Sequence, residues 1–203
     1  MLLDVKLLRR GLFVEYLSLV WMMVECVVAI YSGLAAWSFA LLAFGGDSFV
    51  ELLSSFAVVQ HLRNILKGTG SSISHADSKR AEWVTALLLS LIPVIGLGAV
   101  YCFFTGIRSE SSLLGIAVAI AAVVIMPVLW FEKKRIGAAS DCLPLTIDAA
   151  ESATCFWMSL VLLANLAINY IWKLPWIDYV ATFAILSFVG KEAVKSINEI
   201  REG

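Results

Sequence analysis

The sequence predicts an all-α integral membrane protein, a bundle of six transmembrane helices with both termini in the cytoplasm. Of its 203 residues, 61% are hydrophobic and 15% are charged, and the mean hydropathy is +0.89. Soluble domains contain about 45–50% apolar and about 25% charged residues. One soluble core built from a chain of this length cannot hide so much apolar surface. The surplus must therefore face lipid.

Six apolar stretches define the predicted helices. A helix that crosses about 30 Å of hydrocarbon needs roughly 20 mostly apolar residues. The predicted helices are 13–35, 38–62, 83–104, 113–130, 145–170 and 177–200. In the last of them the apolar stretch is short and covers only 177–190, and the helix is expected to continue to residue 200 beyond the membrane. Residues 1–203 are therefore expected to form a single transmembrane domain without a soluble domain, and the segment 64–78 is the longest polar connection.

The basic residues predict the orientation. All 15 Lys and Arg residues except Arg108 and Lys173 fall on one side of this arrangement. The positive-inside rule places that side, and both termini with it, in the cytoplasm. Lys133 follows the fourth stretch, so no basic side chain is expected within a span. The expected location is the plasma membrane, which in a bacterium is the inner membrane, with several crossings.

Acidic residues interrupt three of the apolar stretches. Helix 1 carries Glu25, helix 2 carries Asp47 and Glu51, and helix 5 carries Asp148 and Glu151. A charged side chain at the bilayer centre costs several kcal/mol, so each of these acids is a candidate functional group. Asp148 has a competing interpretation as an acid near the start of helix 5, where the helix dipole stabilises it.

The spacing of these residues predicts a common site. Asp47 and Glu51 lie one turn apart on one face of helix 2, and Glu151 and Cys155 repeat this spacing on helix 5. Helices 2 and 5 run in opposite directions, so the two pairs can meet near the membrane midplane. Clustered carboxylates without a basic partner bind a cation or hold protons.

The donor types indicate a divalent metal. Two acids on one helix and an acid with a thiol on another make four donors, the number that zinc takes in tetrahedral sites. A thiolate among carboxylates favours Zn²⁺, Fe²⁺, Co²⁺ or Cd²⁺ over Mg²⁺ and Ca²⁺. The predicted metal ligands are Asp47, Glu51, Glu151 and Cys155, with Glu25 as accessory ligand or proton carrier. Metal binding expels protons from such groups, as exchange of metal for protons requires.

Two segments resemble the cation diffusion facilitator family, whose six-helix transporters exchange divalent metal for protons. The stretch SFALLAFGGDSFVELLSS is similar to the family's helix 2, with Asp47 and Glu51 in the ligand positions. In IDAAESATC, Asp148 takes the place of a non-ligand Asp, Glu151 stands where His is usual, and Cys155 where Asp is usual. HADSKRAEWVTALLLS resembles the entry to helix 3. The chain looks like the small transmembrane-only branch, which lacks the C-terminal cytoplasmic domain.

The resemblance implies a secondary transporter that exports divalent metal in exchange for protons and works as a homodimer, joined through helices 3 and 6. Zinc is the first candidate substrate, and Fe²⁺, Co²⁺, Mn²⁺ and Cd²⁺ are the others. No prosthetic group, nucleic acid or enzymatic activity is expected, because no catalytic or phosphate-binding motif occurs in the sequence. The alternatives are a proton-coupled carrier of a small organic cation and a membrane scaffold without transport activity.

Overall fold

The computed structural model describes residues 2–67 and 75–202 and contains, within these ranges, six α-helices and no strand. The helices are α1 (Leu2–Ala36), α2 (Phe39–Lys67), α3 (His75–Thr105), α4 (Leu113–Ser140), α5 (Leu143–Trp172) and α6 (Ile177–Glu202). This confirms the predicted all-α class. Helix 4 was predicted to end at residue 130, but it continues to Ser140. Of the predicted polar connection, residues 68–74 lie outside the described part, as do the side chains of residues 75–82.

Five of the helices are long and apolar enough to cross a membrane, namely α1 to α5. Helix α6 is more polar, but it runs antiparallel to α3 along its length. Near one end the rings of Phe103 and Tyr179 meet edge to face, with centroids 5.4 Å apart. Near the other end the hydroxyls of Thr85 and Ser196 lie 2.5 Å apart. The length and apolar composition of five helices therefore indicate a multi-pass membrane protein. Helix α6 is assigned to the same bundle by its packing against α3.

The helices form a four-helix group and a pair. In the four-helix group, α1 packs against α2 and α4, and α5 packs against α4 and α2. The pair consists of α3 and α6, and it packs against α2 and α5 of the group. Gly45 lets α1 and α2 approach closely, because a Cβ there would lie 3.0 Å from the backbone nitrogen of Ile30. Small residues at such crossings are common in membrane bundles. Helix α2 thus stands at the centre, in contact with α1, α3, α5 and α6.

The distribution of side chains is the reverse of that in a soluble protein. Large apolar side chains in the middle of the helices, such as those of Val20, Val94 and Leu97, are more than half exposed. The buried charged side chains among the described residues include Glu15, Glu25, Asp47, Glu51, Lys133, Asp148 and Asp178. Lipid solvates apolar surface and cannot solvate charge, so this pattern is what a membrane bundle requires.

Exposed tryptophans mark the end of the bundle opposite the chain termini. Trp37 follows α1, Trp172 ends α5, and Trp176 precedes α6, and each is more than half exposed. Tryptophan is enriched at the boundary between lipid and water. Their shared level indicates where one face of the membrane lies.

At this same end, α6 supplies the cap for the start of α2. The carboxylate of Asp178 accepts hydrogen bonds from the backbone N–H groups of Phe39, at 2.9 Å, and Ala40, at 3.4 Å. Its other oxygen accepts from the hydroxyl of Ser38 at 2.6 Å and from the amide of Asn165 at 2.9 Å. One carboxylate therefore joins α2, α5 and α6, because the first N–H groups of a helix have no partner within it.

Replacing this carboxylate should loosen the bundle at that end. Asp178→Ala removes the cap and leaves buried hydrogen-bond donors without an acceptor. We expect it to lower the free energy of unfolding by about 2 kcal/mol. Asp178→Asn keeps an acceptor and should cost less. Thermal unfolding of the purified variants in one detergent measures both effects. Wild-type stability in Asp178→Ala would show that the cap contributes nothing.

Candidate functional site

A cavity of about 240 Å³ lies between α2, α5 and α6, with Leu88 of α3 closing one side. Four carboxylate side chains line it, and we refer to it as the acidic cavity. Those side chains are Asp47, Glu51, Glu151 and Glu192. The remaining lining residues are Val50, Ser54, Ala150, Thr154, Lys195 and Ser196. Along α6 the lining extends toward the end of the bundle that carries both chain termini.

Asp47 and Glu51 are the most deeply placed of the four acids. Asp47 is fully buried and Glu51 is 5% exposed. Within the described part of the chain, neither oxygen of either carboxylate has a hydrogen-bond partner. Other side chains of α2, such as Phe49 and Phe56, are exposed, so the burial of Asp47 and Glu51 places these two acids on the face of α2 that packs inside the bundle. Buried polar atoms are nearly always satisfied, so unpartnered carboxylates beside a cavity indicate a group that is to be bound there.

Glu151 and Glu192 complete the acidic wall from two other helices. An oxygen of Glu151 accepts a hydrogen bond from the hydroxyl of Ser54 at 3.2 Å, which ties α5 to α2. Oxygen Oε1 of Glu192 is buried, and it too has no hydrogen-bond partner among the described residues. The structure thus brings Asp47, Glu51 and Glu151 together as the sequence predicted, and adds an acid from α6 that the sequence did not single out.

Glu25 and Cys155 lie beside the acidic cavity and do not line it. The thiol of Cys155 is directed at Oε1 of Glu25, 3.5 Å away, and the hydroxyl of Ser48 donates to the same oxygen at 2.7 Å. Both Glu25 and Cys155 are fully buried. The five predicted ligands therefore separate into two neighbouring groups, one lining the cavity and one beside it, in which Oε2 of Glu25 has no hydrogen-bond partner among the described residues.

A preassembled metal site would place several ligands around one point. Among the described residues, no three His, Cys, Asp or Glu side chains are close enough together to hold one metal ion. The acidic cavity instead offers separate carboxylates around an open space. Such a cavity can hold a cation whose water molecules reach the more distant oxygens.

Lys133 corrects the expectation that no basic side chain lies within a span. It lies in α4, its side chain is fully buried, and its ammonium group forms ion pairs with Asp148 and, at 3.5 Å, with Glu15. It also donates to the hydroxyl of Ser152 at 3.3 Å. In this group, which we call the Lys133 cluster, one ammonium group is paired with two carboxylates.

Asp148 belongs to the Lys133 cluster and has no contact with the acidic cavity. Ser55 donates a hydrogen bond to its carboxylate at 2.7 Å, from the residue that follows Ser54 on α2. Helix α5 begins at Leu143, so Asp148 lies beyond the first turn, and its interpretation as a helix-start acid was wrong. Its proximity in sequence to Glu151 therefore does not make it part of the same site.

Removing Lys133 should destabilise the bundle strongly. Lys133→Met leaves two buried acids without their cation, and breaking a buried ion pair from one side costs about 3–5 kcal/mol. Adding Asp148→Asn should restore part of that loss, since fewer unpaired charges then remain. Unfolding of the single and double variants in detergent, followed by circular dichroism, measures this. Equal stability of Lys133→Met and wild type would contradict the pairing.

Comparison with known proteins adds no family to this description. The chain matches no protein-family model and no curated protein. The resemblance to the cation diffusion facilitators therefore depends on the residues of helices 2, 3 and 5, and the functional conclusion depends on the geometry of the acidic cavity.

Proposed function

We propose that the protein is a secondary transporter of divalent metal cations and that it moves them in exchange for protons. The observation that carries this proposal is the pair of buried, unpartnered carboxylates of Asp47 and Glu51 on the wall of a cavity inside a membrane bundle. Protons or a metal cation can neutralise these carboxylates. Bound protons exclude the cation from the carboxylates, and a bound cation excludes the protons. Competition between the two at one site is the thermodynamic basis of antiport.

The charge of the cavity favours a divalent substrate. Four carboxylates face one space, with one ammonium group, that of Lys195, at its edge. An isolated monovalent ion would leave most of the negative charge uncompensated in a medium of low dielectric constant. Asp47, Glu51 and Glu151 are the proposed oxygen ligands, and Glu25 with Cys155 forms a neighbouring buried group outside the lining of the cavity.

The two ends of the bundle suggest how access alternates. The end with the tryptophans is closed by the hydrogen bonds of Asp178, while the cavity lining extends toward the other end. If the side rich in Lys and Arg is cytoplasmic, as the positive-inside rule implies, the cavity faces the cytoplasm in this conformation, which is the side from which an exporter takes up its metal. Rocking of the group α1, α2, α4 and α5 against the pair α3 and α6 would open the other side.

The resemblance to the cation diffusion facilitators supports the same substrate class, with Zn²⁺, Fe²⁺, Co²⁺, Mn²⁺ and Cd²⁺ as candidates. It also supports a homodimer in the plasma membrane. Exposed apolar side chains on α3, including Val94 and Leu97, offer a surface for the partner copy. The acidic cavity supplies the same ion site in each protomer, so transport does not require residues from the partner.

The volume of the acidic cavity favours one further candidate, a small organic cation carried by the same acids. About 240 Å³ is more space than a bare metal ion fills, and an ammonium group would pair with Asp47 or Glu51. Competition separates the two substrate classes. A divalent metal and an organic amine should each be offered to the purified protein, and the true substrate should displace the other.

Transport in proteoliposomes tests the proposal directly. The vesicles carry an outward-directed proton gradient, and control vesicles carry the reversed gradient. Wild-type protein should move at least one metal of a panel of Zn²⁺, Fe²⁺, Co²⁺, Mn²⁺, Cd²⁺ and Mg²⁺. A pH-sensitive dye should detect the movement of protons in the opposite direction. Asp47→Ala should lose nearly all flux, because it removes a central carboxylate.

Glu132→Gln is the matched control, since Glu132 pairs with Arg10 at the surface and lies away from the cavity. It should transport as wild type does. Absence of flux for every metal would overturn the proposal. If Asp47→Ala damaged folding and no variant or wild-type protein moved any cation, a scaffold role would explain the acids better.

A further inference from the structure

The chemistry of the cavity wall restricts the classes of cation that can bind there. Its polar side-chain atoms come from the four carboxylates, the hydroxyls of Ser54, Thr154 and Ser196, and the ammonium of Lys195. Among the described lining residues there is no thiol or imidazole. The thiol that the sequence places nearest, that of Cys155, is fully buried and directed at Glu25.

Oxygen donors select one class of divalent cation. Carboxylates and water suit Mg²⁺, Mn²⁺ and Ca²⁺, whereas thiolate and imidazole ligands select Zn²⁺ and Cd²⁺. Mg²⁺ in particular gives up its water reluctantly and is usually held by one or two carboxylates with several waters retained. The acidic cavity has the space for such waters.

Glu192 gives the site a ligand from a different part of the fold. Asp47, Glu51 and Glu151 belong to α2 and α5, within the four-helix group, while Glu192 belongs to α6, which pairs with α3. Its Oε1 is buried at the cavity and unpartnered among the described residues. A cation in the cavity would therefore be attracted to both helix groups at once.

We infer that the acidic cavity accepts a hard divalent cation, Mg²⁺ or Mn²⁺, with part of its water shell, and that Glu192 of α6 is the fourth carboxylate of this site. The inference rests on the proposed transport function and specifies its substrate. Asp47 and Glu51 of α2, Glu151 of α5 and Glu192 of α6 surround the hydrated ion, some of them acting through its water molecules. Cys155 takes no part in binding.

Manganese binding to the purified full-length protein in detergent tests the inference. Electron paramagnetic resonance measures the free Mn²⁺ remaining, because the signal of the hydrated ion broadens when the ion binds. Wild-type protein should bind Mn²⁺, and Mg²⁺ should displace it. Glu192→Gln should weaken Mn²⁺ binding by about tenfold, the lower end of the range for loss of an outer-shell partner of a metal site.

Three further variants make the result interpretable. Glu192→Asp keeps the charge and should lose less affinity than Glu192→Gln. Cys155→Ser should bind Mn²⁺ as wild type does, and so should the surface control Glu132→Gln. Melting temperatures of all variants, measured in the same detergent, identify any loss that comes from misfolding, and Glu192→Asp serves as the test if Glu192→Gln is unfolded.

Different experimental results would contradict this inference and the proposed transport function. Flux or tight binding of Zn²⁺ that Cys155→Ser abolishes, with Mn²⁺ and Mg²⁺ inactive, would overturn the choice of cation and leave metal transport standing. Wild-type affinity in Glu192→Gln and Glu192→Asp would overturn the role of α6. Absence of flux for every cation would overturn both.

Discussion

The constraint on which the structure depends is that hydrocarbon cannot solvate charge. Each ionisable side chain within the spanning helices must find its environment inside the bundle, and the buried positions of Glu25, Asp47, Glu51, Lys133 and Asp148 follow from this. A soluble protein would place the same residues on its surface. Here the helices turn apolar faces outward and enclose the charges, so the interior of the bundle is its most polar region and the place where chemistry can occur.

Two solutions to this constraint stand side by side in one interior. In the Lys133 cluster one ammonium group pairs with Asp148 and Glu15 and offsets part of their charge. In the acidic cavity the deepest carboxylates have no partner among the described residues. Adjacent serines on α2 connect the two, since Ser54 donates to Glu151 and Ser55 to Asp148. The first group holds the bundle together, and the second leaves charge available for a mobile cation.

Hydropathy predicted the six helices, because the apolar stretches can be read directly from the sequence. The spacing of the acids and the opposite directions of helices 2 and 5 predicted that Asp47, Glu51 and Glu151 meet. Lys133 escaped prediction because it begins a run of basic residues, which ends a hydropathy window although the helix continues to Ser140. Glu192 was missed because α6 was expected to leave the membrane there. The orientation of Cys155 depends on the rotation of α5 against α1, which the interval of four residues from Glu151 does not specify.

The cap on α2 has a consequence for how the chain is made. Asp178 lies 139 residues after Phe39, whose N–H group it binds. When a ribosome has delivered only the first helices to the bilayer, the opening turn of α2 still lacks its acceptor. The last hairpin to be inserted provides it, through α6. The second helix can therefore be fastened to the sixth only after α6 has been made, and until then the bundle lacks this connection.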